Sequence, residues 1–158
     1  MKKLKKFYLA HSVELINSVR RFELNVQGNY NVDLVNPFIN NTFENLSELK
    51  GLRSRNKVIE YMNTRLTPEL NRKIVKYDLE VLRKCDYILA IFNEVSFGTT
   101  QEIFAAWYLY NMPVYVINVK YRNHPWLREI VRLSEGKIFS SRKEFKEWLN
   151  NEGFRKEI

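Results

Sequence analysis

The chain has 158 residues, of which 45% are hydrophobic and 14% aromatic, a composition typical of one packed domain (residues 1–158) and not of a disordered segment. Its single cysteine, Cys85, excludes an intrachain disulfide framework and a zinc cluster built on cysteines. The basic start has no apolar segment long enough for a signal peptide, and no run reaches membrane-spanning length, so we expect a cytoplasmic protein without membrane contact.

The net charge of +8 raises the question of a polyanionic partner. Lysines and arginines are scattered along the chain, and no basic helix or aromatic-basic motif typical of nucleic-acid binding is present. A nucleic-acid partner is therefore not expected. The excess of positive charge is interpreted as a solvated surface, with attraction of small phosphorylated substrates as the second interpretation.

The N-terminal part alternates between strand and helix patterns. Residues 5–10 have the pattern of a short apolar strand, and Ser12 can cap the helix that follows it. This helix is predicted from apolar residues at helical spacing, namely Leu15, Ile16, Val19, Phe22 and Val26. Gly28 and Asn29 are expected to end it, because glycine commonly ends helices. Residues 30–35 are predicted as the second strand, which completes a unit typical of parallel sheets.

Residues 40–76 differ from the rest of the chain, being polar and richer in basic than in acidic residues. They are predicted to form a loop with short helices at 45–49 and 57–64, inserted over the sheet edge as one wall of a pocket or as a lid. A further helix begins at Thr67-Pro68, with proline at its first position, and runs to about residue 84. Asp78 lies in this helix, on a face next to the apolar one.

The most informative stretch begins with an unbroken apolar run at residues 87–92, the pattern of a buried central strand. A polar turn follows, and then an apolar helix predicted at 99–111. Glu102 is expected in the first turn of this helix, where the helix dipole favours a carboxylate. Such a turn lies at the carboxyl edge of a parallel sheet, where open α/β sheets bind their ligands.

The remaining chain continues the alternation of strands and helices. Residues 114–119 and 137–139 are predicted as strands, with one helix from Pro125 to about Gly136 and a last helix at 142–150. Five strands alternating with helices predict an α/β fold, a flavodoxin-like three-layer sandwich. Its parallel five-stranded sheet has the order 2-1-3-4-5, with a helical insertion after strand 2.

Candidate functional side chains lie in or after strands 1, 3 and 4, because these strands open on the same edge of the sheet. They are Tyr8, His11, Ser12, Asn93, Glu94, Ser96, Gly98, Thr99, Glu102, Tyr121, Arg122, Asn123 and His124. No Gly-x-Gly-x-x-Gly motif or Walker lysine loop is present, which disfavours dinucleotides and nucleoside triphosphates, and no cofactor is expected. Neither histidine has a cysteine or second histidine at ligand spacing, so no metal site is expected.

Several short motifs carry a family resemblance. They are Phe7-Tyr8-Leu9-Ala10, Asp78 in the helix before the central strand, residues 96–103 (Ser-Phe-Gly-Thr-Thr-Gln-Glu-Ile), Ala105-Ala106 and Pro113-Val114. In their order and spacing they resemble the nucleoside 2-deoxyribosyltransferase superfamily. That superfamily includes the nucleoside deoxyribosyltransferases and the 2'-deoxynucleoside 5'-monophosphate N-glycosidases. The resemblance covers the first strand and about residues 78–118, and the rest matches only in general layout.

The resemblance implies an enzyme of nucleotide metabolism or salvage that cleaves the N-glycosidic bond of a 2'-deoxynucleoside or its 5'-monophosphate. It implies that Glu102 attacks C1' of the deoxyribose to form a glycosyl-enzyme ester, that Asp78 assists departure of the base as a general acid, and that Tyr8 orients the nucleophile. The helix dipole is expected to keep Glu102 ionised while Asp78 is more buried, which separates the two pKa values. The deoxyribosyl group then passes to another base or to water.

The substrate-binding residues implied by the resemblance are Ser12, Ser96, Gly98 and Thr99. The family's transferases tend to carry an aspartate six residues before the nucleophile, whereas Ser96 with Gly98 resembles the hydrolases, in which serine and the adjacent backbone hold the 5'-phosphate. Those hydrolases also carry an arginine in the loop after strand one, which this chain lacks. Arg20, Arg21 or a basic residue of the insertion is a candidate to replace it, and transfer and hydrolysis both stay open.

Other interpretations of the same residues stay open as well. Tyr8 alone could be a core residue, Asp78 a solvated helix residue, and Ser96 and Thr99 simple helix caps. The alternative function is a non-catalytic nucleotide-binding sensor or sequestering module on the same fold. Relatives form dimers or larger assemblies, and a homo-oligomer is expected here through the aromatic helix surface of Phe104, Trp107, Tyr108 and Tyr110.

Overall fold

Strands and helices alternate along the chain in the computed structural model, which describes residues 4–39, 42–118 and 120–156. The strands are β1 (Lys5–His11), β2 (Val32–Val35), β3 (Tyr87–Ile91), β4 (Val114–Ile117) and β5 (Lys137–Phe139). The helices are α1 (Ile16–Asn29), α2 (Thr42–Asn45), α3 (Arg55–Thr64), α4 (Pro68–Leu82), α5 (Phe97–Tyr108), α6 (Pro125–Leu133) and α7 (Arg142–Asn151). A short 3-10 turn, Val13–Leu15, precedes α1.

The five strands form one parallel sheet in the order β2-β1-β3-β4-β5. This confirms the predicted α/β class, the strand order and the flavodoxin-like three-layer sandwich. The order reverses between β1 and β3, because the chain first adds β2 on one side of β1 and then adds the remaining strands on the other. The carboxyl ends of β1 and β3 therefore flank the crevice in which such sheets bind ligands.

The two faces of the sheet carry separate apolar clusters, because successive side chains of a strand point to opposite faces. Strand residues on the first face pack against α4, α5 and α6, and they include Tyr8, Ala10, Ile88, Ala90, Val114 and Val116. Strand residues on the second face pack against α1 and α7, and they include Phe7, Leu9, Leu89, Ile91, Ile117 and Phe139. Tyr8 consequently faces the helices that carry Asp78 and Glu102.

The insertion between β2 and α4 has an apolar cluster of its own. Buried residues of the insertion pack against the start of α1 and of α4, and the cluster comprises Ile16, Phe43, Leu49, Val58 and Leu70. The predicted helix at 57–64 corresponds to α3, but the one predicted at 45–49 was wrong, because α2 lies at Thr42–Asn45 and turns follow it. Positions 40 and 41 lie outside the described residues.

Several predicted boundaries differ from the structure. β1 extends to His11, and β2 begins two residues later than predicted, at Val32. α1 continues through Gly28, α4 ends at Leu82, and α6 ends at Leu133, earlier than the predicted Gly136. β4 ends at Ile117, and position 119 of the predicted strand lies outside the described residues. No helix in the described part of the chain combines the length and the apolar character that a membrane crossing requires.

Gly136 lies where the turn after α6 passes against the first residue of β4. A Cβ atom built on Gly136 would lie 1.8 Å from the carbonyl oxygen of Val114, so alanine there must push two backbone segments apart. We expect Gly136→Ala to lower the free energy of unfolding by about 3 kcal/mol in urea denaturation. Gly28→Ala is the matched control, because Gly28 lies in α1 with nothing within 4 Å of such a Cβ atom. Equal destabilisation by the two variants would contradict this assignment.

Candidate functional site

Three side chains from distant parts of the chain meet beside the carboxyl ends of β1 and β3. The hydroxyl of Tyr8 in β1 donates a hydrogen bond of 2.6 Å to Oε1 of Glu102 in α5. Asp78 in α4 is close enough to Glu102 for its charge to raise the pKa of that carboxyl. The structure thus brings together the three residues that the resemblance implied as catalytic, although their roles stay predictions.

The helix that carries Glu102 begins earlier than predicted. Its N-cap is Ser96 and its first residue is Phe97, which makes Glu102 the sixth helical residue and places it in the second turn. The predicted first-turn position was wrong. The effect of a helix dipole falls off within the first turn, so the dipole cannot be what sets the charge of Glu102.

The ionisation of Glu102 is governed by burial. Removal from water and the neighbouring charge of Asp78 raise the pKa of Glu102 from its ordinary value of 4.5 to about 8, and the hydrogen bond from Tyr8 acts in the opposite direction. The expectation of a carboxylate kept ionised by the dipole was therefore wrong. Burial also raises the pKa of the Tyr8 phenol well above 10, and the Glu102 charge adds to this, which keeps Tyr8 a hydrogen-bond donor.

Asp78 connects the scaffold to the insertion. It lies on α4, half-buried, and it accepts a hydrogen bond from the hydroxyl of Thr42 in α2. Burial raises the pKa of Asp78 from 3.8 to about 6, while the bond from Thr42 lowers it. Both carboxyls therefore have raised pKa values, in the opposite order to the one expected, with Glu102 above Asp78.

A cavity of about 440 Å³ opens beside these carboxyls, a volume that suits a small molecule. The loop after β1 contributes Ser12 to its lining, and α4 contributes Asp78. The N-cap and the first two turns of α5 contribute Ser96, Gly98, Thr99 and Glu102. The insertion contributes an apolar wall of Phe43, Leu49, Leu52, Val58, Tyr61, Met62 and Leu66. Tyr8 is not part of the lining, so any effect that it has on a ligand acts through Glu102.

The hydroxyl groups at the start of α5 do not cap the helix. Ser96 occupies the N-cap position without a side-chain capping bond, and Ser12 likewise makes no capping bond at the 3-10 turn. The Thr99 hydroxyl is buried and has no hydrogen-bond partner among the described residues. The prediction that these side chains serve as caps was wrong, and Ser96 and Thr99 are both among the residues that line the cavity.

The sequence analysis missed a buried polar network behind the cavity. Nε2 of His11 lies 3.2 Å from Oδ1 of Asn36, whose amide donates a 2.8 Å hydrogen bond to Glu23. Arg20 donates a 2.6 Å hydrogen bond to the same carboxylate. The signal was available for Glu23, because it follows Val19 by four positions and so falls on the apolar face of α1.

In the described part of the chain, only the first residues of the loop after β4 contact the loop after β3, which borders the cavity. Asn118 donates a hydrogen bond to the carbonyl of Phe92, and Glu94 binds both Lys120 and the hydroxyl of Tyr121. The other candidates from this loop lie elsewhere: His124 lines an apolar groove beside α6, and Arg122 and Asn123 line a small cavity near β5. No cluster of three or more potential metal ligands occurs within residues 4–39, 42–118 and 120–156.

The raised pKa of Glu102 makes the stability of the fold depend on pH. The folded protein keeps a proton on Glu102 up to about pH 8, whereas the unfolded chain releases it near pH 4.5. Between pH 4.5 and 8 the folded state therefore binds more protons than the unfolded chain. The contribution of Glu102 to the free energy of unfolding is complete below pH 4.5 and is lost as the pH rises towards 8. We expect the unfolding free energy of the wild type, minus that of Glu102→Gln, to fall across this window in urea titrations.

The matched control for this experiment is Glu147→Gln, which removes an exposed helical carboxylate paired with Lys143. A difference between the wild type and Glu102→Gln that stays constant with pH would show that Glu102 is not a buried, proton-retaining group.

A scan of protein-family models finds no match to the chain, and a search of curated proteins finds no significant match. The functional interpretation therefore depends on the motif resemblance and on the geometry of Tyr8, Asp78 and Glu102.

Proposed function

We propose that the chain is an N-glycosidic-bond enzyme of the nucleoside 2-deoxyribosyltransferase type. It cleaves a 2'-deoxynucleoside or its 5'-monophosphate and passes the deoxyribosyl group to another base or to water. The observation that carries this proposal is the hydrogen bond from Tyr8 to Glu102 beside Asp78, at the edge of a cavity of small-molecule size. A nucleophile at the cavity with an orienting donor and a nearby acid is what displacement at a sugar carbon requires.

In the first step the Glu102 carboxylate attacks C1' and forms an ester. The bond from C1' to the base nitrogen breaks, the base keeps the electron pair, and Asp78 donates a proton to the departing base. In the second step water or a second base attacks C1', the ester bond breaks, and Glu102 leaves as a carboxylate. Asp78 takes the proton from the incoming group, which restores the starting state.

The pKa values of the two carboxyls define the proton transfer that these roles require. Burial raises the pKa of Asp78 to about 6 and that of Glu102 to about 8, so between these values the pair holds a single proton. The higher pKa of Glu102 places this proton on the nucleophile in the free protein, so the first step requires its transfer from Glu102 to Asp78 when the substrate binds. The hydrogen bond from Tyr8 favours the ionised form of Glu102, because a donor stabilises the charged carboxylate.

The test of this proposal is base release. We expect the wild type, incubated with each deoxynucleoside and each 5'-monophosphate, to release free base, or to exchange bases when an acceptor base is added, as followed by chromatography. Glu102→Ala should abolish turnover, because no nucleophile remains, and Asp78→Asn should lower kcat by about 100-fold or more. Circular dichroism checks that each variant folds, and Glu147→Ala is the control for loss of an exposed glutamate.

The same experiment separates the enzyme from the alternative, a binding module on the same fold. A binding module releases no base as the wild type and keeps its ligand affinity when Glu102 becomes alanine. Absence of base release from every compound would reject the enzyme. Intact-mass detection of a deoxyribosyl ester that is present on the wild type and missing from Glu102→Ala would support the covalent route directly.

We further propose that copies of the chain associate through an apolar surface on α5 and α6. Phe97 is 82% exposed, Tyr108 67% and Trp126 69%, and large exposed apolar side chains on neighbouring helices are typical of an interaction site. Four aromatic residues of α5 and its end were expected at the interface. Two of them, Trp107 and Tyr110, pack against the core of the chain itself. The surface is therefore centred on Phe97, Tyr108 and Trp126.

We expect sedimentation velocity to show a dimer or larger assembly for the wild type and a smaller species for the double variant Tyr108→Ser, Trp126→Ser. The double variant removes apolar area that would be buried on association, and burial of such area drives it. Leu24→Ser is the control, because Leu24 is 54% exposed on α1, outside this surface. A monomeric wild type would contradict the proposed association.

A further inference from the structure

The charged side chains that line the cavity are all acidic among the described residues. The lining contains four carboxyl groups, those of Glu14, Asp78, Glu94 and Glu102, and no lysine or arginine. His11 is the one described lining group that can become cationic, and burial lowers the pKa of its imidazole, which disfavours a positive charge there. The cavity therefore lacks the cation that a bound phosphate normally requires.

Two basic residues outside the lining are held by carboxylates of the lining. Arg55 contacts Glu14 at 2.5 Å and Lys120 contacts Glu94 at 2.7 Å, so each cation neutralises an acidic group at the rim and stays outside the lining. Arg20 is paired with the buried Glu23, and Arg21 is exposed. None of the candidates for the missing arginine of the strand-one loop reaches the cavity.

The start of α5 is the part of the lining that favours negative charge. Its free backbone N–H groups carry the equivalent of roughly half a positive charge, whereas a phosphate monoester carries about −1.5 to −2 near neutral pH. Glu94 lies two residues before the N-cap residue Ser96, and its carboxylate already holds Lys120, the cation closest to this helix start in the ion pairs of the rim. The helix terminus alone is then left to balance the charge of a bound phosphate.

We infer that the cavity accepts an uncharged 2'-deoxynucleoside and discriminates against its 5'-monophosphate, because the described lining offers a phosphate no cation, the cations Arg55 and Lys120 are already paired with its carboxylates, and Asp78 adds negative charge. The inference rests on the proposed function and narrows its substrate class. It runs against the motif resemblance, in which Ser96 with Gly98 is typical of the hydrolases that hold a 5'-phosphate. The reason is that Ser96 lines this cavity, whereas no described arginine or lysine does.

The experiment compares kcat/KM for base release from the four common 2'-deoxynucleosides and from their 5'-monophosphates. At low ionic strength we expect a preference of about tenfold or more for the nucleoside, and we expect added salt to narrow it by screening the repulsion. Glu94→Gln removes a rim carboxylate and frees Lys120, so it should raise kcat/KM for the monophosphate several-fold more than that for the nucleoside. Glu147→Gln, on the distant helix α7, should leave the ratio unchanged.

The outcomes separate the two proposals. A kcat/KM for the monophosphates that equals or exceeds that for the nucleosides, or a ratio unmoved by Glu94→Gln, overturns the inference and leaves the N-glycosidic activity standing. If no compound releases base, the proposed function fails, and titration calorimetry of the same nucleoside and monophosphate pairs with the wild type tests the inference by itself. Equal or tighter binding of the monophosphates, or binding of neither, then overturns it.

Discussion

The hydrogen bond between Tyr8 and Glu102 is the contact on which the candidate site depends. The phenol is fully buried and Glu102 is half-buried, so each group depends on the other as a hydrogen-bond partner, and leaving the phenol without one costs about 1–3 kcal/mol. The contact exists because the pleat of β1 turns Tyr8 towards α5 while Phe7 and Leu9 face α1. A one-residue shift in the register of β1 would turn Tyr8 to the opposite face of the sheet and break its hydrogen bond to Glu102.

One physical cause, the shortage of compensating charge in the cavity, accounts for its two chemical properties. Carboxyl groups that lose water without gaining a cation hold protons more tightly, which explains the raised pKa of Asp78 and of Glu102. The same shortage is the basis of our inference that the cavity discriminates against an anionic ligand. The apolar wall that the insertion supplies strengthens both effects, because it replaces water with groups that cannot solvate charge.

The strand order and most elements could be predicted from sequence, because buried parallel strands and amphipathic helices leave strong periodic patterns. β5 was predicted at its observed bounds, and α7 to within one residue of its end, since Ser141 is an unambiguous cap. The start of α5 was misplaced because Ser96 and Thr99 are both residue types that begin helices. The protonation of Glu102 and its contact with Tyr8 depend on packing between segments 94 residues apart, and local sequence patterns do not encode it.

The hydrogen bond from Thr42 to the Asp78 carboxyl joins the insertion, which supplies the apolar wall, to helix α4. Thr42 belongs to the insertion, and Asp78 belongs to the helix beneath it, so displacement of α2 exposes the carboxyl to solvent as well as breaking the bond. Burial outweighs the Thr42 hydrogen bond in setting the pKa of Asp78. Hydration of the carboxyl therefore returns its pKa towards 3.8, and Asp78 loses its proton at a lower pH. Enclosure of the Asp78 carboxyl therefore raises the pH up to which this side chain keeps a proton.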